Sequence, residues 1–248
     1  RPVPNKTLNL RITAQGGVGN AEEHNFLLNY YGVDSVGWGS PFLLVPEATT
    51  VDKSTLKQLS EAKEKDLYLS NISPLGVPFN SLRGNTQDVK KDAKIAGGRP
   101  GSRCTKNYAA INNTEFTKRD ICTASRQYQY LKIKELDSKN MTVDKYKKEH
   151  KKIVDKSCVC AGLGTSSLLS HGLSTKREGE GVSICPGPNL AYFNETYSLR
   201  EMTDHIYGRT DLTSNTERPN MFIKELNIYI NILKDRISEA DKPLSEND

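Results

Sequence analysis

Along the first fifty residues, the pattern of apolar and polar positions changes from that of a strand to that of a helix and back to that of a strand. Residues 10–15, LRITAQ, have the apolar and β-branched character of a buried strand, and residues 34–38, DSVGW, predict a second one. Between these segments, Phe26, Leu27 and Tyr30 recur at helical spacing. Because the connections are short, the order strand–helix–strand predicts a right-handed βαβ unit, which belongs in a parallel sheet.

Capping residues predict where several helices begin. Asn20 with Glu23 three residues later predicts a capping box at the first helix, and Ser198 with Glu201 predicts another. Pro219 can occupy the first turn of a long C-terminal helix. The apolar residues of that last helix share one face, which predicts that the face packs on a domain. They are Phe222, Leu226, Tyr229, Ile230, Leu233 and Ile237.

The pattern divides the chain into three regions. Residues 1–66 hold the βαβ unit and a second helix over Lys53–Asp66, and residues 67–103 are rich in Pro, Gly, Ser and Asn, which predicts a loop or linker. Residues 104–248 are predicted to be mainly helical. The elements expected there are helices over Ser125–Leu136 and Thr142–Asp155, a glycine-rich turn over 161–172, a short strand over 181–185, and the two capped helices near the C-terminus.

Composition restricts the classes of protein to which the chain can belong. Its 248 residues have a mean hydropathy of −0.62, and no run approaches the roughly 18 apolar residues of a membrane helix. The net charge is +5, and the densest basic run, Lys145–Lys156, has no accompanying aromatic platform for nucleic acid. The N-terminal RPVPNKTLNL lacks the apolar segment of a signal peptide. We therefore expect a soluble, cytoplasmic protein with neither a membrane nor a nucleic-acid partner.

Glycine-rich turns follow both predicted strands. Gly16 and Gly17 follow the first strand, and Gly37, Gly39 and Ser40 lie at the end of the second. Glycine lets backbone amides approach an anion closely, and the start of the next helix adds free N–H groups. Adjacent parallel strands direct their carboxyl ends to one edge, where ligands bind in α/β sheets. The alternative is an ordinary βαβ unit that uses its glycines only for tight turns.

One segment near the start of the chain resembles a known group of enzymes. It reads ITAQGGVGNAEEHNFLLNYYGVDSVGWGSPFLLVPEA and is similar to the C-terminal phosphate-binding segment of FMN-dependent TIM barrels. That group includes nitronate monooxygenases, inosine-monophosphate dehydrogenases and the synthase domain of glutamate synthase. The residues that fit its pattern are Ala14, Gly16, Gly17, Gly32, Asp34, Val36, Gly37, Gly39, Phe42 and Leu43. The trailing Glu47 and Ala48 are most similar to nitronate monooxygenases, whereas Trp38 is bulkier than the residue usual between the glycines.

The resemblance implies an α/β fold in which this chain supplies the last β/α units of a (β/α)8 barrel. A mainly helical, cysteine-containing extension would follow them. The resemblance also implies that Gly16, Gly17, Gly37, Gly39 and Ser40 contact the FMN phosphate, largely through backbone amides. The residues that contact the flavin ring normally lie in earlier strands, so a missing N-terminal barrel part or a partner subunit is expected. The implied activity is flavin-dependent oxidoreduction, with the substrate and catalytic residues unassigned.

Four of the five cysteines fall between residues 104 and 160. Cys104, Cys122, Cys158 and Cys160 could form a four-thiolate site for Zn²⁺ or an iron–sulfur cluster. Their spacing includes no Cys-x2-Cys pair, so structural or redox thiols are the alternative interpretation. Arg126, four residues after Cys122, is a candidate contact for an anion.

Three functions are compatible with these features. The first is part of a flavin-dependent oxidoreductase of the nitronate-monooxygenase type. The second is a structural metal-binding and assembly module built on the cysteines. The third is a barrel enzyme that binds a phosphorylated substrate at the glycine turns without flavin. His171 and His205 are isolated in the sequence, so we expect surface or hydrogen-bonded core residues rather than bases or ligands.

Overall fold

The first unit of the structure is a parallel strand–helix–strand arrangement. The computed structural model describes residues 9–104, 107–159, 161–176, 179–213 and 217–240. Strand β1 (Thr13–Gln15), helix α1 (Ala21–Asn29) and strand β2 (Ser35–Gly37) come first. β1 pairs with β2 in parallel, with Ala14 opposite Val36. The Asn20 side chain accepts a hydrogen bond from the Glu23 amide and begins α1. The strand–helix–strand order and the parallel pairing are confirmed, but β1 begins at Thr13 rather than at Leu10 and is mostly exposed rather than buried.

Short helical segments follow β2. They are a 3₁₀ helix over Ser40–Leu44, helix α2 over Lys53–Glu61 and a 3₁₀ turn over Glu64–Asp66. Asp52 is the N-cap of α2, since its side chain accepts from the Thr55 amide at 3.0 Å. The helix predicted over Lys53–Asp66 therefore begins where expected. It ends early because Ala62 has extended backbone angles.

The prediction of a loop over residues 67–103 is wrong, because this region contains a hairpin and a helix. Strand β3 (Leu67–Ser70) pairs with β4 (Phe79–Leu82) in antiparallel register. The Ser70 and Ser81 hydroxyls share a buried hydrogen bond of 2.9 Å across the pair. Helix α3 covers Thr86–Ala96 and is capped by the Asn85 side chain. Each strand has only four residues, which is too short for alternation to be recognised among so many turn residues.

Helices dominate the rest of the described chain. They are α4 (Arg126–Asp137), α5 (Val143–Val154), α6 (Gly162–Ser170), α7 (Leu199–Ile206) and α8 (Met221–Ala240). Ser125 and Thr142 cap α4 and α5, and Ser198 with Glu201 forms the predicted capping box of α7. The turn predicted over 161–172 is instead mostly α6. There the buried Ser166 hydroxyl donates to Asp52 Oδ2 at 2.7 Å, so a tertiary contact outweighs the low helix propensity of glycine.

The strand predicted over residues 181–185 is also wrong. The segment is irregular and mostly buried, and it joins no sheet in the described ranges. The Val182 carbonyl accepts from the Gln87 amide at 3.2 Å, and the Val182 amide donates to Thr86 Oγ1 at 2.9 Å. Both partners lie in the first turn of α3, so a helix end takes the hydrogen bonds that a neighbouring strand would otherwise make.

One hydrophobic core joins early and late parts of the chain. Leu44, Leu59, Leu190, Phe193 and Met202 are fully buried in it. The 3₁₀ helix after β2 and α2 supply one side, and the segment through α7 supplies the other. The elements that follow the glycine turns are therefore held by residues more than a hundred positions later.

The apolar face of α8 is largely exposed. Its six predicted packing residues, Phe222 to Ile237, are between 38% and 59% exposed. Among the α8 residues whose side chains are described, Lys224 alone is buried. Its ammonium group donates hydrogen bonds to the Glu64 carboxylate and to the Tyr192 hydroxyl. The prediction that this face packs on a domain is therefore wrong within the described chain. None of the helices described is long and apolar enough to cross a membrane.

Candidate functional site

The register of β1 and β2 brings both glycine turns to one end of the small parallel sheet. Gln15 pairs with Gly37 at the last position of the ladder, so the turns leave the sheet at the same edge. We call the five residues of these turns the glycine cradle: Gly16, Gly17, Gly37, Gly39 and Ser40. The arrangement corresponds to the carboxyl edge at which open parallel sheets bind ligands.

The cradle is open at two of its five positions. A Cβ atom built on Gly16 or on Gly39 meets no atom within 4 Å. Gly37 lies against the Gln15 side chain, whose Cγ would be 2.8 Å from such an atom, and Ser40 packs against Gly187. Gly16 and Gly39 thus border free space, whereas Gly37 and Ser40 fix how the turns pack.

Backbone geometry leaves unbonded amides in the first turn. Gly16 and Gly17 have φ angles of 90° and 76°, a left-handed conformation in which a residue with a Cβ is strained. Within the described part of the chain, the amides of Gly17 and Val18 donate to no protein acceptor. Successive free amides in a turn can bind an anion together.

Side chains from the other end of the sequence hold the carbonyl group of Gly17. Asn189 Nδ2 donates to this oxygen at 2.7 Å, and Arg218 Nη2 donates to it at 3.1 Å. The Gly17 carbonyl and the Val18 amide belong to one planar peptide and point in opposite directions. Fixing the carbonyl therefore orients the Val18 amide away from Asn189 and Arg218.

A buried ion pair lies directly behind this turn. Arg218 donates to both carboxylate oxygens of Glu23, at 3.0 Å from Nη1 and 2.7 Å from Nη2, and both side chains are almost fully buried. The same carboxylate accepts from the amides of Gly19 at 2.9 Å and Met221 at 2.6 Å. Glu23 therefore does not close the predicted capping box onto Asn20, because its carboxylate is occupied by these four donors.

His205 supports the end of the same turn. Its Nδ1 accepts a hydrogen bond from the Leu212 amide at 3.2 Å, so the proton of the neutral ring lies on Nε2. Nε2 then donates to the Gly19 carbonyl at 3.0 Å. The ring is buried and meets the Trp38 ring edge-on. The expectation that His205 is a hydrogen-bonded core residue is confirmed.

Sequence reasoning did not find Arg218 or Asn189, although both shape the cradle. They lie 201 and 172 positions from Gly17, and no local motif marks either of them. The available signal was indirect: an acid such as Glu23 in the buried first turn of a helix needs a cationic or N–H partner from elsewhere.

Trp38, between the glycines of the second turn, contacts α1 and α7. Its Nε1 donates to His24 Nδ1 at 3.0 Å, which requires that His24 nitrogen to be unprotonated. Burial lowers the pKa of His24 below 6.5. The bulk of Trp38, which distinguishes this chain from the family pattern, is thus accommodated by α1 and α7 through His24 and His205.

Acidification is expected to change the fluorescence of Trp38, the only tryptophan in the sequence, with a midpoint below pH 6.5. The folded state favours neutral His24, so the stability this provides is complete above pH 6.5 and is lost as pH falls through the lower folded pKa. A fluorescence titration of the His24→Asn variant should lack this transition, and His171→Asn should retain it. A transition that survives in His24→Asn would show that another group causes it.

The cysteines do not assemble into a metal site in the described part of the chain. Cys104 is exposed, Cys122 is buried and Cys158 is half-buried. No group of three or more histidine, cysteine or acidic side chains is placed to hold a metal ion among the residues described. Cys160, the fourth predicted ligand, lies outside them.

Comparisons with known proteins give a distant likeness to solved structures. No family model matches the chain, and no curated protein matches it. Among solved structures, it is similar to the enoyl reductase domain of MlnA from the macrolactin biosynthesis cluster of Bacillus amyloliquefaciens, with a TM-score of 0.35 and 20% sequence identity. The match covers 93% of this chain and 50% of that one, so the chain spans half the length of its structural relative.

Proposed function

We propose that the glycine cradle binds the phosphate of FMN and that this chain is part of a flavin-dependent oxidoreductase of the nitronate-monooxygenase type. The observation that carries the proposal is the parallel register of β1 and β2, with two glycine turns at one edge. The sequence resemblance of residues 12–48 to the phosphate-binding segment of FMN-dependent barrels supports the choice of cofactor.

The residues present fit a phosphate group. The unbonded amides of Gly17 and Val18 can donate to phosphate oxygens, and the N-terminus of α1 adds the positive end of its dipole. The negative charge of Glu23 does not oppose an anion here, because Arg218 neutralises it at 2.7 Å. Gly16 and Gly39 leave room for the ligand.

Bound FMN would supply the redox chemistry by accepting and donating a hydride at its ring. The described residues would bind and orient its phosphate end. Arg218, Asn189 and His205 would keep the turn rigid by holding its carbonyl groups. A preformed anion site loses little conformational entropy on binding, which favours affinity.

Further strands must complete the sheet for this function. Leu10 and Ile12, which both lie just before β1, are 74% and 64% exposed. Parallel sheets are normally covered on both faces, so a two-stranded parallel sheet with exposed apolar residues is incomplete as a barrel. We propose that additional barrel strands, from a preceding part of the protein or from a partner subunit, cover this surface and contribute the residues around the flavin ring.

Gly39→Asp is expected to weaken FMN binding at least about tenfold, because it places a carboxylate beside the phosphate. Gly39 has a φ of −125° and open space at its Cβ position, so the variant should fold normally. Gly39→Asn is the matched control, with nearly the same shape and no charge. The measurement is flavin binding by equilibrium dialysis with the complete barrel present.

Riboflavin, which lacks the phosphate, provides the decisive comparison. The proposal requires FMN to bind more tightly than riboflavin and requires Gly39→Asp to remove that difference. Equal binding of the two flavins, or unchanged FMN affinity in Gly39→Asp, would show that the cradle does not hold the phosphate. Binding of other phosphate esters without FMN would favour a barrel enzyme that acts on a phosphorylated substrate.

A further inference from the structure

A second cleft lies apart from the glycine cradle, between residues 98–104, the segment 117–122 and the start of α4. Its volume is about 1240 Å³. Ligand sites in proteins commonly have volumes of about 300–1,000 Å³, so the cleft has room for a molecule of nucleotide size. The isolated parallel bridge between Ser102 and Ser125 ties its two main walls together.

Basic residues greatly outnumber acidic residues in the lining of this cleft. Among the described residues that line it, five are basic and one is acidic. The acid is Asp120, and the basic residues are Arg99, Arg103, Lys118, Arg119 and Arg126. All five basic residues are exposed, and none of their charged groups has an ion-pair or hydrogen-bond partner within the described chain. Such a cluster, in a concave surface, creates a local positive potential that attracts anions.

Two further observations point to the same sign of charge. The first turn of α4 begins at Arg126, so the positive end of the helix dipole faces the cleft together with that guanidinium. The pKa of nearby Lys94 is lowered, first by burial and then by the charge of Arg126. Arg126, which the sequence alone marked as a candidate anion contact, thus lies in an electropositive site.

The α4 side of the cleft also carries apolar side chains next to Arg126. Tyr130 and Ile133 follow Arg126 on α4 at spacings of four and seven residues, so the three side chains share one face of the helix. The Tyr130 ring is 63% exposed and can stack on a flat ring system. The cleft therefore combines an anionic recognition surface with an aromatic one.

We propose that this cleft binds a small organic phosphate, with its phosphate groups among Arg103, Arg119 and Arg126 and its ring against Tyr130. Four of the five basic residues in the cleft are arginines. A guanidinium group can pair with a phosphate through two parallel hydrogen bonds, which a lysine ammonium cannot do, so this composition favours a phosphate ligand. The site is independent of the glycine cradle, because it uses none of the same residues.

The test measures binding of mant-ADP, a fluorescent nucleotide, to the full chain. Arg103→Glu and Arg126→Glu should each weaken binding about tenfold or more, and Lys148→Glu, the same charge change at an exposed position on α5, should leave it unchanged. Arg126→Glu should not unfold the protein, because an acid in the first turn of α4 suits the helix dipole. Circular dichroism of each variant checks this.

Two competitors separate the parts of the ligand. Pyrophosphate should displace mant-ADP, and Tyr130→Ala should weaken mant-ADP but leave the affinity for pyrophosphate unchanged. Gly39→Asp, which disables the glycine cradle, should leave mant-ADP binding intact, so failure of one site is distinguishable from failure of the other. The proposal is overturned if mant-ADP does not saturate, if Lys148→Glu weakens it as much as Arg103→Glu, or if only long polyanions such as heparin bind.

Discussion

Replacing Glu23 with glutamine is expected to lower the free energy of unfolding by about 3–5 kcal/mol, the cost of breaking a buried ion pair on one side. The Arg218 guanidinium would keep its charge while almost fully buried and would lose the compensating negative charge and one of its two acceptor oxygens, which glutamine replaces with an NH2 donor. The amide of Met221 would lose a charged acceptor as well. Urea unfolding followed by circular dichroism measures the difference.

The neighbouring acid supplies the control for this prediction. Glu22 lies in the same helical turn but is exposed, so Glu22→Gln should change the free energy of unfolding by less than about 0.5 kcal/mol. The double variant Glu23→Gln with Arg218→Met removes both charges and should recover part of the loss. Equal free energies of unfolding for Glu23→Gln and Glu22→Gln would show that the Glu23–Arg218 pair is not formed in solution.

Gly101→Ala is expected to be the second most damaging substitution, and it should also weaken mant-ADP binding at the cleft. Gly101 has a φ of 82°, and a Cβ there would lie 2.7 Å from the Arg126 Cα. The obstructing atoms are backbone and cannot rotate away. The Arg126 amide donates to the Ser102 carbonyl at 2.9 Å, so the added methyl group would separate the two walls of the cleft.

Gly76→Ala is the control that measures the loss of stability caused by the left-handed backbone alone, without a steric clash. Gly76 has nearly the same φ, 78°, but open space around its Cβ position, so alanine there should cost about 1–2 kcal/mol for the left-handed backbone alone. Gly101→Ala should exceed this by about 1–3 kcal/mol because of overpacking. Thermal and urea unfolding of both variants give the comparison, and equal losses would mean that the walls are not in contact.

The parts of the fold that the sequence predicts are those decided by neighbouring residues. The side chains of Asn20, Ser125, Thr142 and Ser198 cap helices within three positions of themselves, and each helix start was predictable from those few residues. The parallel pairing of β1 and β2 followed from the short connections around α1.

The parts that could not be predicted depend on contacts between distant residues. The carboxylate of Glu23 binds Arg218 rather than the Asn20 amide, and the irregular segment at Val182 forms hydrogen bonds with α3 rather than with a strand. For α8, periodicity identified the apolar face but not whether a partner covers it. The cleft lined by Arg99, Arg103, Arg119 and Arg126 could not be predicted either, because these arginines come from three segments that only the fold brings together.

The Glu23–Arg218 contact also has a consequence for the order in which the protein forms. Its two residues are 195 positions apart, so during synthesis the glycine turn leaves the ribosome long before the side chain that stabilises it. Until residue 218 has emerged, the Glu23 carboxylate must remain in water, since no other described cation pairs with it. The turn that holds Gly17 is therefore completed only after translation has passed Arg218.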